Sequence, residues 1–403
     1  MLKLFACRDA RLYLIGQFVS IAGDRALWLA AAIWVAELTH SSGAAGLTFF
    51  FMALPSLAAP LAGLVVDRVR RRPLLLAINL GTGLLVLTLL LVHDRNGVWL
   101  IWAVMLGYGA SSTLSGPAQS ALLTVIVPEP LLGDANGALQ TVGEGLRLIS
   151  PLVGAGLFTL VGGGLVAVLD AGTFGVAAFS LLLLAVREPK PVPSSAAHWR
   201  RELSAGFQHL LRTTVLRQLT LAAGMVLLVI GLCESVGFAV VGQGLHEPPS
   251  FFGVLIWIQG VGAVLGGPTA APAIRRLGEG VVAAIGMLAF ALGAALWIVP
   301  SLPVVAAGCI CAGVGLPWIV VGAYTMLQRR SPPHLQGRVF SAFNIAAGTP
   351  QTLSIGLGAV LVGILPYQLL LTVVATTIGV AGLWLVTRRA QHAVRREVTT
   401  AEP

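Results

Sequence analysis

Charge is scarce in this chain. Only 10% of its 403 residues are Asp, Glu, Lys or Arg, against about 25% in soluble domains. With 57% hydrophobic residues and a mean hydropathy of +0.90, the chain cannot cover itself with polar surface. That excludes a soluble globular protein and leaves a polytopic membrane protein. Acid is scarcer than base, 16 residues against 25, for a net charge of +9. The bases are not gathered into a domain interleaved with aromatics, so no nucleic-acid partner is expected. Four cysteines (Cys7, Cys233, Cys309 and Cys311) form no C-x-x-C pair, and Cys309 and Cys311 point to different faces of an apolar helix. They read as small core residues, and no metal site is expected. Seven histidines show no H-x-x-x-H pair, and no G-x-x-x-x-G-K-[ST] loop is present. Direct ATP coupling is therefore unsupported, and no cofactor is implied. The first apolar stretch is long and interrupted by polar residues, so no cleavable signal peptide is expected.

What the chain has in quantity is long apolar runs. Twelve are expected as membrane spans, at 12–38, 44–66, 74–92, 98–127, 134–161, 165–186, 215–242, 250–272, 279–299, 303–328, 337–362 and 366–387. Their lengths suit a hydrocarbon core ~30 Å thick at ~1.5 Å per residue. The expected architecture is all-α. It comprises an N-terminal six-helix bundle (1–186), a linker (187–213), a C-terminal six-helix bundle (214–387) and a basic tail (388–403). In the linker, Pro189, Pro191 and Pro193 form a spacer, and Trp199, Leu203, Phe207, Leu210 and Leu211 follow at helical spacing. This reads as an amphipathic helix lying on the membrane surface, or else as a plain linker.

Orientation follows from the bases. Of 25 Lys and Arg, Arg25 and Arg147 lie within spans, Arg95 lies in the loop after span 3, and the other 22 fall on one side. That basic side is expected to be cytoplasmic and to carry both termini, with the protein in the cell inner (plasma) membrane.

The chain also repeats itself. An offset of 204 residues brings Gly63 onto Gly267 and Arg71 and Arg72 onto Arg275 and Arg276. Without a gap, the same offset brings Pro128, Leu131, Gly133 and Ala138 onto Pro332, Leu335, Gly337 and Ala342. It continues with Ser150, Gly154 and Ala155 on Ser354, Gly358 and Ala359. One offset serving distant stretches argues for two related six-span halves. The charges break the symmetry: Asp24 falls on Leu228, Glu144 on Gly348, Arg147 on Gln351, and Glu234 on Ala30.

Charges inside spans carry the functional expectation, because a charged group at the bilayer centre costs at least ~2.5–3.5 kcal/mol and such groups usually face a cavity. Asp24 sits near the middle of span 1, on a stripe with Gln17, Ser20 and Trp28, and its partner is expected to be Arg25 or Arg147. It reads as a carboxylate able to take and release a proton, or as half of a structural ion pair. Glu144 and Arg147 share a face of span 5 with Gln140, Pro151 and Gly154, and are expected to form a buried pair. Glu234, Gln259, Asn344 and Gln351 are further candidates for a cavity wall, whereas Asp170 is expected to be water-exposed or capping.

The loop after span 2, GLVVDRVRRRP (63–73), has the spacing Gly-x-x-x-Asp-Arg-x-x-Arg-Arg. It resembles motif A of the major facilitator superfamily, with Arg70 where that family usually has glycine. Ser150-Pro151-Leu152-Val153-Gly154 resembles the antiporters' span-5 packing motif Gly-Pro-x-x-Gly, with serine for the first glycine. With GQFVSIAGDRALW (16–28), PEPLLGDANGALQ (128–140) and RRSPPHLQGRVF (329–340), the chain resembles the family's twelve-span drug-efflux branch, with its macrolide-efflux and enterobactin-exporter-like members. The resemblance implies export of small, largely apolar compounds by alternating access, coupled to proton antiport. It implies a cytoplasmic latch in which Asp67 meets the start of span 11 near Gly337 and Arg338, completed by Gly63, Arg68, Arg71 and Arg72. The second half lacks the acid of that loop, so its matching latch is expected to be weaker. The expected partners are a small-molecule substrate, protons and the lipid bilayer, acting on a functional monomer. A lipid or siderophore translocator of the same fold is the alternative. A membrane-embedded sensor or enzyme is remote, because isolated carboxylates on separate spans supply no convergent catalytic set.

Overall fold

The computed structural model describes residues 7–66, 68–186, 188, 196–332 and 335–388, and among them it contains helices and no strands. The helices trace twelve spans. Span 1 is Arg8–Thr39. Span 2 is broken, as helix Ser42–Ala53, a tight turn Leu54–Ala58 carrying Pro55, and helix Ala59–Val66. Span 3 is Arg71–Leu91 and span 4 is Val98–Ile126. Spans 5 and 6 run within Leu132–Leu182, where Gly162 takes φ 77 and ψ 167. Only glycine enters that backbone region freely, and it lets the chain double back without a longer loop. Span 7 is Thr214–Gly244, span 8 Phe251–Leu277, span 9 Glu279–Leu296 and span 10 Leu302–Arg329. Span 11 is Gln336–Leu361 and span 12 Tyr367–Thr387. Among the described residues, nine helical stretches are long and apolar enough to cross a membrane. That number joins spans 5 and 6 and omits the broken span 2 and span 11, the latter carrying Arg338, Asn344 and Gln351.

The chain divides into two compact units, residues 1–195 and 196–403. Each has the same internal packing. In the first, span 1 packs on spans 5 and 6, span 2 on span 4, and span 3 on spans 4 and 6. In the second, span 7 packs on spans 11 and 12, span 8 on span 10, and span 9 on spans 10 and 12. The boundaries repeat too: span 4 begins at Val98 and span 10 at Leu302, 204 residues on. The register slips at spans 2 and 3 and their images: span 2 starts at Ser42 but span 8 at Phe251. Arg71 opens span 3, whereas Arg275 and Arg276 close span 8, and span 9 starts only after Gly278, at φ 86. The loop arginines that align in sequence therefore occupy different helix ends.

The linker helix, Ala196–Arg212, belongs to the second unit. Leu210 is fully buried in that unit's core with Phe207 packed beside it, while Leu211 faces outward. Gly206 lies so close to span 11 that a methyl there would come within 2.3 Å of the Arg338 carbonyl oxygen. His209 Nε2 lies 3.0 Å from the carbonyl oxygen of Arg330. The described apolar side chains at 207 and 210 thus meet protein, and Leu211 of the same stripe does not. Trp199 and Leu203, on the same stripe, lie outside the described side chains. All four cysteines are free.

Candidate functional site

The first unit's polar centre is built on the seam between spans 1 and 6. Gly16 and Gly23, seven residues apart, lie on one face of span 1. A methyl at Gly16 would reach 2.2 Å from Ser180 Oγ, and one at Gly23 would reach 2.5 Å from both Asp170 Oδ1 and Thr173 Oγ1. The glycines let span 6 approach close to the backbone, as small residues do in membrane helix pairs. Asp170 is thereby pressed against span 1 beside Asp24. It is 2% exposed, and neither carboxyl oxygen has a hydrogen-bond partner among the described residues. Thr173 donates instead to the Asp170 backbone carbonyl at 2.7 Å. The water-exposed or capping role expected for Asp170 is thus corrected: the seam, which sequence does not show, turns it inward.

Asp24 lies about sixteen residues into span 1, or ~24 Å along the helix at ~1.5 Å per residue. Its Oδ1 accepts a hydrogen bond from the Tyr108 hydroxyl of span 4. Tyr108 is buried and stacks edge-on to Phe174 of span 6, with ring centroids 5.6 Å apart. The phenol joins the expected Arg25, whose charge acts on Asp24 from the next residue. Arg25 stays next to Asp24 in the chain with an exposed side chain, and Gln17 is buried one turn nearer the basic side than Ser20. Tyr108 was not foreseen. Its one signal was scarcity, since the chain has only four tyrosines and this one sits mid-span in an apolar run.

Glu144 and Arg147 do pair, at 3.6 Å, with Gln140 Nε2 donating to Glu144 at 3.4 Å. The pair is not buried: the side chains are 58% and 55% exposed respectively. Polarity alone could not separate a buried pair from a wet one. Glu144 lies about twelve residues into its helix, ~18 Å from its start. Beside it, Gly154 seats span 5 on span 1, where a methyl would come within 2.3 Å of the Ala26 carbonyl oxygen, and Ser150 and Pro151 are buried on the same helix. Spans 1 and 5 are thus held backbone to backbone while Arg25, Glu144 and Arg147 remain exposed at mid-helix depth.

In the second unit, Glu234, Gln259 and Gln351 are half-buried and Asn344 is exposed, accepting a hydrogen bond from Tyr324 at 3.3 Å. Gln351 also contributes its backbone: a methyl on Gly231 of span 7 would reach 2.6 Å from its carbonyl oxygen.

On the basic side, Asp67 lies outside the described residues. A methyl at Gly63 would meet nothing within 4 Å, and Arg68 is exposed. The Arg71 and Arg72 backbone N–H groups donate to the two Glu188 carboxylate oxygens, at 2.7 and 2.6 Å. Glu188 thereby caps the positive end of span 3. Arg72 reaches back with Nε and Nη2 to the carbonyls of Leu181 and Leu182, at 2.8 and 2.9 Å, and satisfies the end of span 6. In the second unit, Glu279 at the start of span 9 is buried and accepts from Arg329 Nη1 at 2.6 Å. Among the described residues, no group of three or more His, Cys, Asp or Glu could hold a metal ion.

Known proteins agree with this arrangement. The chain is 25% identical over 365 residues to an uncharacterized MFS-type transporter, YfiS, of Bacillus subtilis, covering 86% of this chain and 85% of that protein. It is 26% identical over 344 residues to the enterobactin exporter EntS of Escherichia coli, covering 82% and 79%. Among solved structures, a bacterial homologue of the iron transporter ferroportin superposes with a TM-score of 0.71 at 15% identity, over 94% of this chain and 99% of that one. The nucleoside transporter NupG gives 0.73 at 12% identity, over 94% and 98%. These two establish the fold alone. The family model described as Major Facilitator Superfamily matches residues 13–242 and 235–402, and the chain, a multi-pass membrane transporter, belongs to that superfamily.

Proposed function

We propose that this transporter is a secondary exporter of small, largely apolar compounds, working by alternating access in the plasma membrane and coupled to protons, with both termini cytoplasmic. The observation that carries the reading is the exposure of Arg25, Glu144 and Arg147 at mid-helix depth on the adjoining spans 1 and 5. Facing lipid, each would cost at least ~2.5–3.5 kcal/mol, so this face meets water or cargo. Asp24 stands at its edge, in the buried polar cluster with Tyr108 and Asp170 that would exchange a proton when the site opens to water. Accumulation of cargo by purified protein in liposomes, with and without an imposed pH gradient, tests the reading; the cargo is first found by expression in an efflux-deficient bacterium. Cargo that moves equally well without the gradient would remove the proton coupling.

A siderophore as cargo is the second reading, favoured by the relatives named enterobactin exporters and by the exposed guanidiniums of Arg25 and Arg147. An acidic, oxygen-rich chelator offers such groups acceptors that a neutral drug lacks. Its export would fall when Arg147 is changed to Gln, whereas export of an apolar cation would not.

A further inference from the structure

The geometry points to a paired-carboxylate proton site in the first unit, in which Asp170 holds the proton that leaves and returns, and Tyr108 keeps Asp24 as the ionised partner. The site deepens the proton-coupled reading above and rests on it only for its consequence in transport. Three observations carry it. Asp170 is 2% exposed, and among the described residues neither of its oxygens accepts a hydrogen bond of sound geometry, the nearby Thr173 hydroxyl donating to the backbone carbonyl instead. Its carboxyl is aimed at the Gly23 backbone, one residue from Asp24, where a Cβ would collide with Oδ1. The Asp24 carboxylate already accepts from Tyr108 and has Arg25 beside it, so the negative charge is better placed on Asp24 than on Asp170. A bare carboxylate with no donor, in an apolar seam beside a second carboxylate, is the costliest arrangement available, and the neutral acid removes that cost.

The groups facing Asp170 are few. Span 1 brings Asp24 and Arg25, span 4 brings Tyr108, and span 6 itself brings Thr173. Span 3 packs against span 6 through Gly83 and carries no charged side chain beyond Arg71 and Arg72 at its far end. In the closed seam one proton sits on Asp170 and Asp24 is ionised. When water enters the seam, the Asp170 O–H bond breaks, its proton passes to water, and both carboxylates stand hydrated. Rebinding reverses each step. A seam that opens and closes by sliding span 6 on the Gly16–Gly23 face would therefore gate the proton.

The test needs no cargo. Purified full-length protein in lipid nanodiscs is titrated while the infrared C=O band of protonated carboxylic acid is followed, in wild type, Asp170→Asn and Asp24→Asn. The site predicts a band present at neutral pH in wild type and lost in Asp170→Asn. It also predicts that Tyr108→Phe alters the band's pH profile without removing it. A band absent from wild type, or unchanged in Asp170→Asn, overturns the proposal. So does a band that sodium chloride abolishes and potassium chloride does not, since that would make the occupant a sodium ion. In liposomes, Asp170→Asn should lose at least tenfold in pH-driven accumulation while keeping cargo counterflow. If the band behaves as stated but wild type ignores the pH gradient, the proton site stands and the coupled-export reading fails.

Discussion

Where the first unit holds Asp24, Tyr108 and Asp170, the second unit, 204 residues on, holds Leu228, Ala312 and Val374. Ala312 and Val374 are buried in the second unit's apolar core. The backbone around them is shared. Gly154 seats span 5 against Ala26 of span 1, and its image Gly358 seats span 11 against Leu232 of span 7. The two units thus keep one packing scheme and differ in what the seam contains. The close-packed helix pairs are common to both units, and at these three positions the first unit alone carries ionisable side chains. A scaffold does not need those groups, because its image folds without them. That difference supports the proposal that they serve transport rather than packing.

The basic sides differ in the opposite sense. The first unit ties its ends with partly exposed hydrogen bonds through Glu188 and Arg72. The second has a buried acid, Glu279, held by Arg329. The acid missing from the loop between spans 8 and 9 is therefore replaced by one four residues further along than the image of the Arg71 helix start.

The sharpest break of this comparison is Gly154→Ala. Its methyl must displace the Ala26 backbone, so ~1–3 kcal/mol should be lost, while Gly156→Ala, which meets nothing within 4 Å, should be neutral or gain ~0.5–1 kcal/mol. Equal melting temperatures for the two alanine variants would refute the backbone-to-backbone seam. Next is Arg329→Gln. It removes the cation from a buried acid and should lower stability by ~1–2 kcal/mol, below the range for a fully buried pair because Arg329 is 60% exposed and the span-9 helix dipole still favours the acid. A thermal melt unchanged from wild type would show that the pair is ornamental. Glu188→Gln should cost ~1 kcal/mol by weakening the cap on span 3, read as a lower denaturation midpoint for the first unit only. The smallest effect is expected from Glu144→Gln, at most ~0.5 kcal/mol because its pair is solvated. A large loss there would restore the buried-pair reading that the structure replaces.

Much of the fold was legible in the sequence. Long apolar runs separated by short basic loops fix twelve spans, because lipid leaves the backbone no alternative to helices. A single offset fixes the repeat, and the structure departs from it where span 2 is broken but span 8 is continuous and where Gly278 restarts a helix that Arg71 starts earlier in the first half. The site was legible only in part. Asp24 stood out as a charge mid-span. Its partner did not, because Tyr108 lies 84 residues away and the rotation of span 4 is set by packing. Asp170 was misplaced for the same reason: its inward turn depends on Gly23 of another span. The spacing of Glu144 and Arg147 shows a pair, but not its exposure, since a sequence shows which residues are polar and not which face is covered.

As proposed above, the coupling chemistry resides in the first unit, at the Asp24–Asp170 pair. Gradient-driven accumulation of cargo in liposomes by Asp24→Asn tests it most directly, with Glu234→Gln of the second unit in parallel. The account predicts that Asp24→Asn abolishes uphill accumulation and preserves counterflow, and that Glu234→Gln still concentrates cargo. An Asp24→Asn protein that concentrates cargo against its gradient, beside a Glu234→Gln protein that cannot, would contradict the account and move the coupling to the second unit.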